Sequence, residues 1–232
     1  ENSVYAQEKC SFKTIITSKK LLEKIKMDPI EGMVFLEDIV KSVSLTDKIP
    51  ALIRSKLSIK SILKSIHHGS DDETAVILFT SGSEKEPKAV QLTHKNIEHN
   101  LVGIPKIMSL GSDDVFIANL PLFHVFGITA NYWLPITLGC SIVAYPNPLD
   151  YKIVCGLVKQ YKVTLMAGTP SFYYGYLKKS AKGDFDSMRI AISGADTLTN
   201  QIFDGFLKKH DLTILNAYGT TETSPAISIN TP

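Results

Sequence analysis

The sequence predicts an α/β protein with a mostly parallel, doubly wound βαβ sheet layered with helices. Two observations support this fold class. Apolar runs of strand length recur along the chain, and amphipathic helical stretches lie between them. Several of the runs are nearly continuous in Val, Ile and Leu, which is typical of strands buried on both faces. Strand and helix in alternation indicate right-handed crossovers and hence a parallel sheet.

Eight segments have the length and composition of strands. They are residues 13–17, 32–36, 74–79, 114–120, 141–145, 163–167, 188–193 and 212–217. The stretch from Val115 to Leu149 contains no charged residue, but Pro121 and Pro135 interrupt it. Because a membrane span needs roughly 20 consecutive apolar residues, we predict a strand, a buried helix and another strand there, and no transmembrane span.

Four polar residues stand where helical patterns begin. We predict that Ser18, Thr93, Asp150 and Thr199 each cap the helix that follows, because such side chains accept hydrogen bonds from the first free N–H groups. The segment 41–73, rich in Ser and Lys, is predicted as one or two connecting helices and a polar loop. We therefore divide the chain into residues 1–70, a βα segment with linker helices, and residues 71–232, a core α/β subdomain.

Composition excludes several classes of protein. The chain has 232 residues and a net charge of +2, so nothing electrostatic favours nucleic acid as a partner. Its three cysteines, Cys10, Cys140 and Cys155, form no C-x-x-C pair. This pattern argues against a disulfide framework or a zinc site and predicts reduced thiols in a cytoplasmic protein.

A polar loop follows the strand predicted at 74–79, in the sequence "LFTSGSEKEPKAVQLTH". Small residues allow successive backbone N–H groups to face an anion, and a lysine adds a point charge. The residues concerned are Thr80, Ser81, Gly82, Ser83 and Lys88. A Walker loop is excluded, because its second glycine and the hydroxyl after the lysine are missing, and "AVQLT" reads as extended. On these residues alone, a phosphate cradle and a polar hairpin turn are equal alternatives.

Three further motifs follow later in the chain. "NLPLFHVFG" carries His124, which by itself reads as a core or capping histidine. "AISGADTL" carries Gly194, which permits either a tight turn or close approach to a ligand. "NAYGTTETSP", residues 216–225, places glycine, hydroxyls and an acid after a predicted strand. Ligands of open α/β sheets bind at the carboxyl ends of strands, so these loops are candidates for one site.

Together the four motifs resemble those of the acyl-adenylate-forming (AMP-binding) superfamily, with "FTSGSEKEPKAVQLTH" in place of its phosphate-binding signature. The superfamily includes acyl-CoA and acyl-acyl-carrier-protein synthetases, luciferases and adenylation domains. The pair Ser83-Glu84 resembles the branch that activates fatty acids. The resemblance implies an ATP- and Mg²⁺-dependent ligase that forms acyl-AMP from a carboxylic acid, for which we expect a fatty acid. The acyl group then passes to a thiol of acyl carrier protein or coenzyme A, and peripheral membrane contact is compatible with such a substrate.

The resemblance also implies a role for each matching residue. Tyr218 stacks on adenine, Thr221 bonds the α-phosphate, and His124 lies by the acyl carboxylate. Lys88, His124, Thr221 and Glu222 are expected to be catalytic, and Glu222 and Thr80 to hold Mg²⁺. The expected nucleotide-binding residues are Thr80, Ser81, Gly82, Ser83, Lys88, Gly194, Ala195, Asn216, Ala217, Tyr218, Gly219, Thr220 and Thr221.

Departures from the family pattern leave alternatives open. Lys85 and Ala89 replace two glycines of the phosphate signature, and Glu84 and Glu86 add negative charge beside it. A catalytically impaired nucleotide-binding or scaffold relative is one alternative, and an enzyme for an aryl or amino acid is another. A kinase is disfavoured by the extended segment after Lys88. We expect a part of a longer enzyme, without the family's C-terminal lid domain, that is inactive and binds ATP weakly in isolation.

Overall fold

The computed structural model describes residues 2–64, 66, 68–80 and 87–231. Its elements are α1 Asn2–Cys10, β1 Ile15–Thr17, α2 Lys19–Ile25, β2 Met33–Phe35, α3 Leu36–Ser42, α4 Leu45–Ser55, α5 Ile59–Leu63, β3 Thr74–Thr80, β4 Lys88–Thr93, α6 His94–Met108, β5 Val115–Ala118, α7 Val125–Ile128, a π-helical turn Thr129–Trp133, α8 Leu134–Leu138, β6 Ser141–Ala144, α9 Tyr151–Gln160, β7 Leu165–Gly168, α10 Pro170–Lys179, β8 Ile190–Ser193, α11 Asn200–His210, β9 Ile214–Gly219, a 3₁₀ turn Thr221–Thr223 and β10 Ala226–Ile229. Each of the eight segments predicted as strands overlaps a strand of the structure.

The described residues form two compact units. The first unit comprises the described residues of Glu1–Ser70 and Ser81–Ala89. The second unit comprises those of Asp71–Thr80 and Val90–Pro232. In the first unit, β1 and β2 pair in parallel and helices α1 to α5 accompany them. The hydroxyl of Ser18 donates to Glu37 Oε1 at 2.7 Å, and this hydrogen bond is the main reason that the pKa of Glu37 falls to about 2.

A six-stranded sheet organises the second unit, in the order β10-β9-β8-β7-β5-β6. Only β10 runs antiparallel to its neighbour, so the prediction of a mostly parallel sheet is confirmed. Along one line across the centre, Phe116 pairs with Leu165 and Leu165 pairs with Ile190. Strands β3 and β4 form a separate two-stranded sheet, and β4 confirms that the chain after Lys88 is extended.

Side chains of the central strands alternate between two buried layers. Phe116 and Leu165 belong to one layer, and their successors Ile117 and Met166 belong to the other. Helices α9, α10 and α11 cover the layer of Ile117, whereas α6 and α8 cover the layer of Phe116. Helices therefore cover both faces, as the doubly wound fold class predicts.

The predicted helix caps are only partly correct. Thr93 accepts a hydrogen bond from the N–H of Asn96 at 3.2 Å, so this cap is confirmed. Asp150 makes no side-chain cap bond, and its carboxylate instead accepts the hydroxyl of Tyr145 at 2.6 Å. Ser18 and Thr199 also make no side-chain cap bond, and the hydroxyl of Ser18 is used on Glu37. Side-chain partners brought in by the fold explain the failures at Asp150 and Ser18.

Candidate active site

A cavity of about 230 Å³ lies at the carboxyl ends of β7, β8 and β9, within the second unit. This is the edge at which open α/β sheets bind ligands, because helix N-termini and loop N–H groups gather there. Eight residues that the sequence analysis singled out line this cavity. They are His124, Gly194, Ala195, Ala217, Tyr218, Gly219, Thr220 and Thr221.

One wall of the cavity is apolar. Leu134, Leu165 and Ile192 line it and are at most 6% exposed, and Phe126 adds an aromatic ring. The segment Ala217–Thr221, together with Pro225 and Ala226, also lines the cavity and supplies backbone groups and hydroxyls. The cavity therefore offers an apolar region and a polar region side by side, as a ligand with an apolar body and a polar head requires.

His124 is the N-cap residue of α7 and is exposed. Its Nδ1 accepts the backbone N–H of Phe126 at 3.2 Å, so a neutral imidazole carries its proton on Nε2. The buried Asn131 holds the start of the same loop. The side-chain amide of Asn131 is oriented with its oxygen toward this backbone. That oxygen accepts the N–H groups of Asn119 at 3.0 Å and Leu120 at 2.7 Å. The backbone ahead of His124 is thereby fixed.

The turn after β8 brings backbone close to the cavity. A methyl group at Gly194 would come within 3.4 Å of the carbonyl oxygen of Ala217 and of the ring of Phe126. Ala195 has a φ of +69°, in the left-handed region that side chains disfavour. A tight turn was one of the two alternatives that the sequence analysis gave for Gly194. The same turn also places Gly194 and Ala195 on the cavity wall.

The loop after β9 is closed by short contacts. The N–H of Thr220 donates to the carbonyl oxygen of Pro225 at 3.0 Å, and a methyl group at Gly219 would collide with that same carbonyl. Thr223 completes the turn, because its hydroxyl oxygen accepts the N–H of Thr220 at 3.0 Å. Gly219 is therefore required by close backbone approach, and a larger residue would displace the loop.

Asn100 on α6 is a site residue that the sequence analysis missed. Its amide nitrogen donates to the carbonyl oxygen of Thr223 at 3.0 Å, and its amide oxygen accepts the N–H of Ala226 at 3.0 Å. One half-buried side chain thus holds both ends of the turn that follows Tyr218–Thr221. Its only sequence signal is a polar residue within an amphipathic helix, which no motif distinguishes.

Three residues predicted from the motif at residues 216–225 differ in whether they line the cavity. Tyr218 lines the cavity and is 64% exposed, so it is accessible to a ligand. Asn216 is exposed on β9, where its carbonyl accepts the N–H of Asn230 at 3.0 Å. Glu222 is exposed on the 3₁₀ turn. Neither Asn216 nor Glu222 lines the cavity wall as the structure describes it.

The predicted phosphate loop is only partly described. Thr80 ends β3 and is half-buried, and it belongs to the second unit. Lys88 begins β4, is exposed and belongs to the first unit. Ser81, Gly82 and Ser83 lie outside the described residues. The convergence of Lys88 and Glu222 on one triphosphate therefore stays a prediction.

The described residues contain no cluster of three or more His, Cys, Asp and Glu side chains that could hold a metal ion. Mg²⁺ needs no such cluster, because it is commonly held by one or two carboxylates together with substrate phosphates and water. The exposed carboxylate of Glu222, on a loop whose neighbours line the cavity, fits a site of this kind.

Crossing a bilayer requires a helix that is both long and apolar, and none of the helices among the described residues meets this requirement.

Comparison with known proteins fits this geometry. A family model described as "AMP-binding enzyme" matches residues 1–232. The chain is 27% identical over 230 residues to 4-coumarate–CoA ligase 1 of Arabidopsis thaliana, which covers 94% of the chain and 41% of that protein. It is 28% identical over 207 residues to the medium-chain fatty-acid–CoA ligase of Escherichia coli (strain K12), over 88% of the chain and 35% of that protein.

Among solved structures, the crystal structure of ATP-bound MatB from Rhodopseudomonas palustris superposes with a TM-score of 0.65 and 28% identity. That match covers 72% of this chain and 32% of MatB. The chain thus spans less than half the length of each of these three proteins. A family match along the whole sequence, on a fold in which three of the four motifs line one cavity, leads to one conclusion: the chain belongs to the AMP-binding enzyme family.

Proposed function

We propose that the chain is part of an ATP-dependent acid–thiol ligase that activates a fatty acid as acyl-AMP and transfers it to a thiol. The observation that carries this proposal is the cavity, which is lined both by apolar side chains and by the polar loop Tyr218–Thr221. An acyl-adenylate has both characters, because its acyl chain is apolar and its nucleotide is polar and charged.

In the first step, a carboxylate oxygen of the acid attacks the α-phosphorus of ATP, and the bond from that phosphorus to the pyrophosphate oxygen breaks. Tyr218 holds the adenine by stacking, which is favourable for any base. The hydroxyl of Thr221 donates to an α-phosphate oxygen as negative charge accumulates there. The Nε2–H of His124 donates to the acid's carboxylate and orients it for attack.

In the second step, a thiolate attacks the acyl carbon, and the mixed anhydride bond breaks to release AMP. The acceptor thiol is that of coenzyme A or of an acyl carrier protein. The acyl carbon is already activated, so no side chain of this chain needs to act as a nucleophile. We place this reaction in the cytoplasm, where thiols such as those of Cys10, Cys140 and Cys155 stay reduced.

We further propose that the loop after β3 holds the outer phosphates of ATP, with Lys88 as the point charge. Its other members are Thr80, Ser81, Gly82 and Ser83. Glu222 and Thr80 would hold Mg²⁺, which neutralises phosphate charge when it is bound. Lys85 and Ala89, in place of two family glycines, are the observation that keeps an impaired nucleotide-binding relative as the competing proposal.

The substrate class rests on the apolar wall of Leu134, Leu165 and Ile192 and on the medium-chain fatty-acid–CoA ligase among the relatives. An aryl acid is the second candidate, favoured by Phe126 on the wall and by the similarity to 4-coumarate–CoA ligase 1. The two candidates are distinguishable, because a flat, rigid aryl acid and a flexible alkyl chain fit cavities of different shape.

The test is ATP–pyrophosphate exchange by the whole protein, with octanoate, palmitate and 4-coumarate as alternative acids. We expect exchange with a fatty acid to exceed exchange with 4-coumarate. Glu222→Ala and Lys88→Ala should each lower exchange by about 100-fold, since each removes charge stabilisation. Glu98→Ala and Lys95→Ala, at exposed positions on α6, are the matched controls. Exchange unaffected by the first pair would refute these site assignments, and no exchange with any acid would favour the impaired relative.

A further inference from the structure

The segment from Lys41 to Lys64, here called the basic segment, is exposed at every position. It contains α4 and α5 and belongs to the first unit. Large apolar side chains are normally scattered singly over a protein surface. Here nine of them, between 37% and 75% exposed, occur within 24 residues: Val43, Leu45, Ile49, Leu52, Ile53, Leu57, Ile59, Ile62 and Leu63.

The apolar residues of α4 share one face of the helix. Leu45, Ile49, Leu52 and Ile53 are spaced at i, i+4, i+7 and i+8, which places them on one stripe. Their exposed fractions are 75%, 57%, 63% and 61%. None of the four is buried by the described residues, so the stripe has no apolar partner among them.

A local capping box supports α4 at its start. The hydroxyl oxygen of Ser44 accepts the N–H of Asp47 at 3.3 Å, and the Asp47 carboxylate accepts the N–H of Ser44 at 2.9 Å. Ser44 also donates its hydroxyl proton to the same carboxylate at 2.6 Å. The helix therefore has its own terminal hydrogen bonds, and the one acid of the basic segment is engaged in them.

Charge is concentrated in the same segment. It holds six basic residues and one acid, a net charge of +5, whereas the rest of the chain carries −3. The basic residues are Lys41, Lys48, Arg54, Lys56, Lys60 and Lys64. A helix with an apolar stripe and flanking Lys and Arg is typical of segments that lie in the plane of a membrane interface.

We propose that the basic segment docks on an anionic membrane surface. The apolar stripe of α4 enters the boundary between headgroups and acyl chains, and the lysines contact anionic headgroups. Charge complementarity selects this occupant over a second copy of the chain, because two segments of charge +5 repel each other. The proposal does not depend on the ligase chemistry, although a membrane surface is where long acyl chains are concentrated.

The experiment is co-sedimentation of the whole protein with vesicles of phosphatidylcholine alone or with 30% phosphatidylserine. We expect binding only to the anionic vesicles, and loss of binding in 1 M salt, where the Debye length falls to about 3 Å. Ile49→Glu with Leu52→Glu should weaken binding at least tenfold. The matched control is Ile153→Glu with Leu207→Glu, two residues that are 50% and 43% exposed on α9 and α11.

A second pair tests the charges without adding negative ones. Lys56→Gln with Lys60→Gln should lower binding to anionic vesicles about tenfold, whereas Lys152→Gln with Lys208→Gln, also at exposed positions, should leave it unchanged. Circular dichroism establishes that each variant is folded. Equal binding to both vesicle types, no binding to either, or equal losses in test and control pairs would each overturn the proposal.

Light scattering without vesicles tests the competing occupant. If Ile49→Glu with Leu52→Glu converts a dimer into a monomer, the stripe joins two copies and the membrane proposal is overturned. Pyrophosphate exchange of the whole protein without vesicles separates this inference from the ligase. The stripe variants should leave exchange unchanged, and absent exchange with intact vesicle binding would remove only the proposed ligase function.

Discussion

The side-chain amide of Asn100 donates to the backbone carbonyl of Thr223 at 3.0 Å, across a separation of 123 residues in sequence. The same amide accepts the N–H of Ala226 at 3.0 Å, so α6 and the loop after β9 are joined by a pair of hydrogen bonds. The residues just before this junction, Tyr218 to Thr221, line the cavity. The position of the cavity's polar wall therefore depends on a helix that precedes it by five strands.

Replacing Asn100 should lower the free energy of unfolding and loosen the loop that forms the polar wall of the cavity. Asn100→Ala leaves a backbone N–H and a carbonyl without their partner, which should cost roughly 1–3 kcal/mol of unfolding free energy. Asn100→Asp keeps the acceptor for Ala226 but places a carboxylate oxygen against the carbonyl oxygen of Thr223, so its loss should be at least as large. Urea denaturation of the chain measures both, with His99→Ala at an exposed neighbouring position as the control. Equal stability of Asn100→Ala and His99→Ala would contradict the assigned role.

Gly219 should not tolerate a side chain. Gly219→Ala places a methyl group against the carbonyl of Pro225, a backbone atom that cannot move aside cheaply. We expect a loss of roughly 1–3 kcal/mol, as for overpacking elsewhere. Gly103→Ala is the matched control, because a methyl group there meets nothing within 4 Å and Ala favours the helix by about 1 kcal/mol. Thermal melts of the two variants should shift in opposite directions.

Tyr218 should contribute to ATP affinity through its ring. Tyr218→Ala should raise the KM for ATP in pyrophosphate exchange about tenfold, since stacking of a base on an aromatic ring contributes roughly 1–3 kcal/mol. Tyr218→Phe keeps the ring and should stay within about twofold of the unsubstituted enzyme. If both variants raise the KM alike, the hydroxyl carries the effect, and if neither raises it, Tyr218 does not contribute; either result shows that the stacking role is wrong.

The ion pair of Asp114 and Arg189 should make stability depend on pH. Their side chains are 2.7 Å apart. Burial opposes ionisation of Asp114, but hydrogen bonds from Arg189, Gly111 and Thr164 outweigh it and lower the pKa of the carboxyl group. Because the folded pKa lies below the unfolded one, this stabilisation is present above about pH 4 and is lost as pH falls through the folded pKa.

We therefore expect Asp114→Asn to cost about 1–2 kcal/mol of unfolding free energy at pH 7, a modest value because Arg189 is partly exposed. The difference from the unsubstituted chain should shrink as pH falls below 4. Urea denaturation between pH 3 and pH 7 measures it, within the range where both proteins fold. A difference that stays constant with pH would show that lost hydrogen bonds, and not charge, cause the destabilisation.

The fold was predictable because each strand is specified by a short, local run of apolar residues. Apolar runs such as the one ending at Ser193 specify a strand buried on both faces, whatever surrounds it. Helix ends were harder, since Asp150 has a competing partner in Tyr145 that only the folded chain brings near. The helix Pro170–Lys179 was not predicted, because its aromatic residues and Gly175 have weak helix propensity and its stability comes from packing.

The candidate site shows the same division. His124, Gly194 and Tyr218 were found because each sits in a contiguous motif next to a predicted strand. Asn100 was not found, because its importance lies in contacts with residues more than 120 positions away. Sequence motifs thus identify groups that face the ligand, whereas the residues that hold those groups in place require the three-dimensional structure.

The apolar wall of the cavity belongs to the buried layer that covers one face of the sheet. Leu134, Leu165 and Ile192 are members of both. A substitution that enlarges the space for a bulkier ligand therefore also removes core contacts, at roughly 2–5 kcal/mol for a Leu→Ala change. A change of ligand preference at this wall is consequently a trade-off. Variants with a wider cavity need compensating mutations elsewhere before, or together with, the change at the wall.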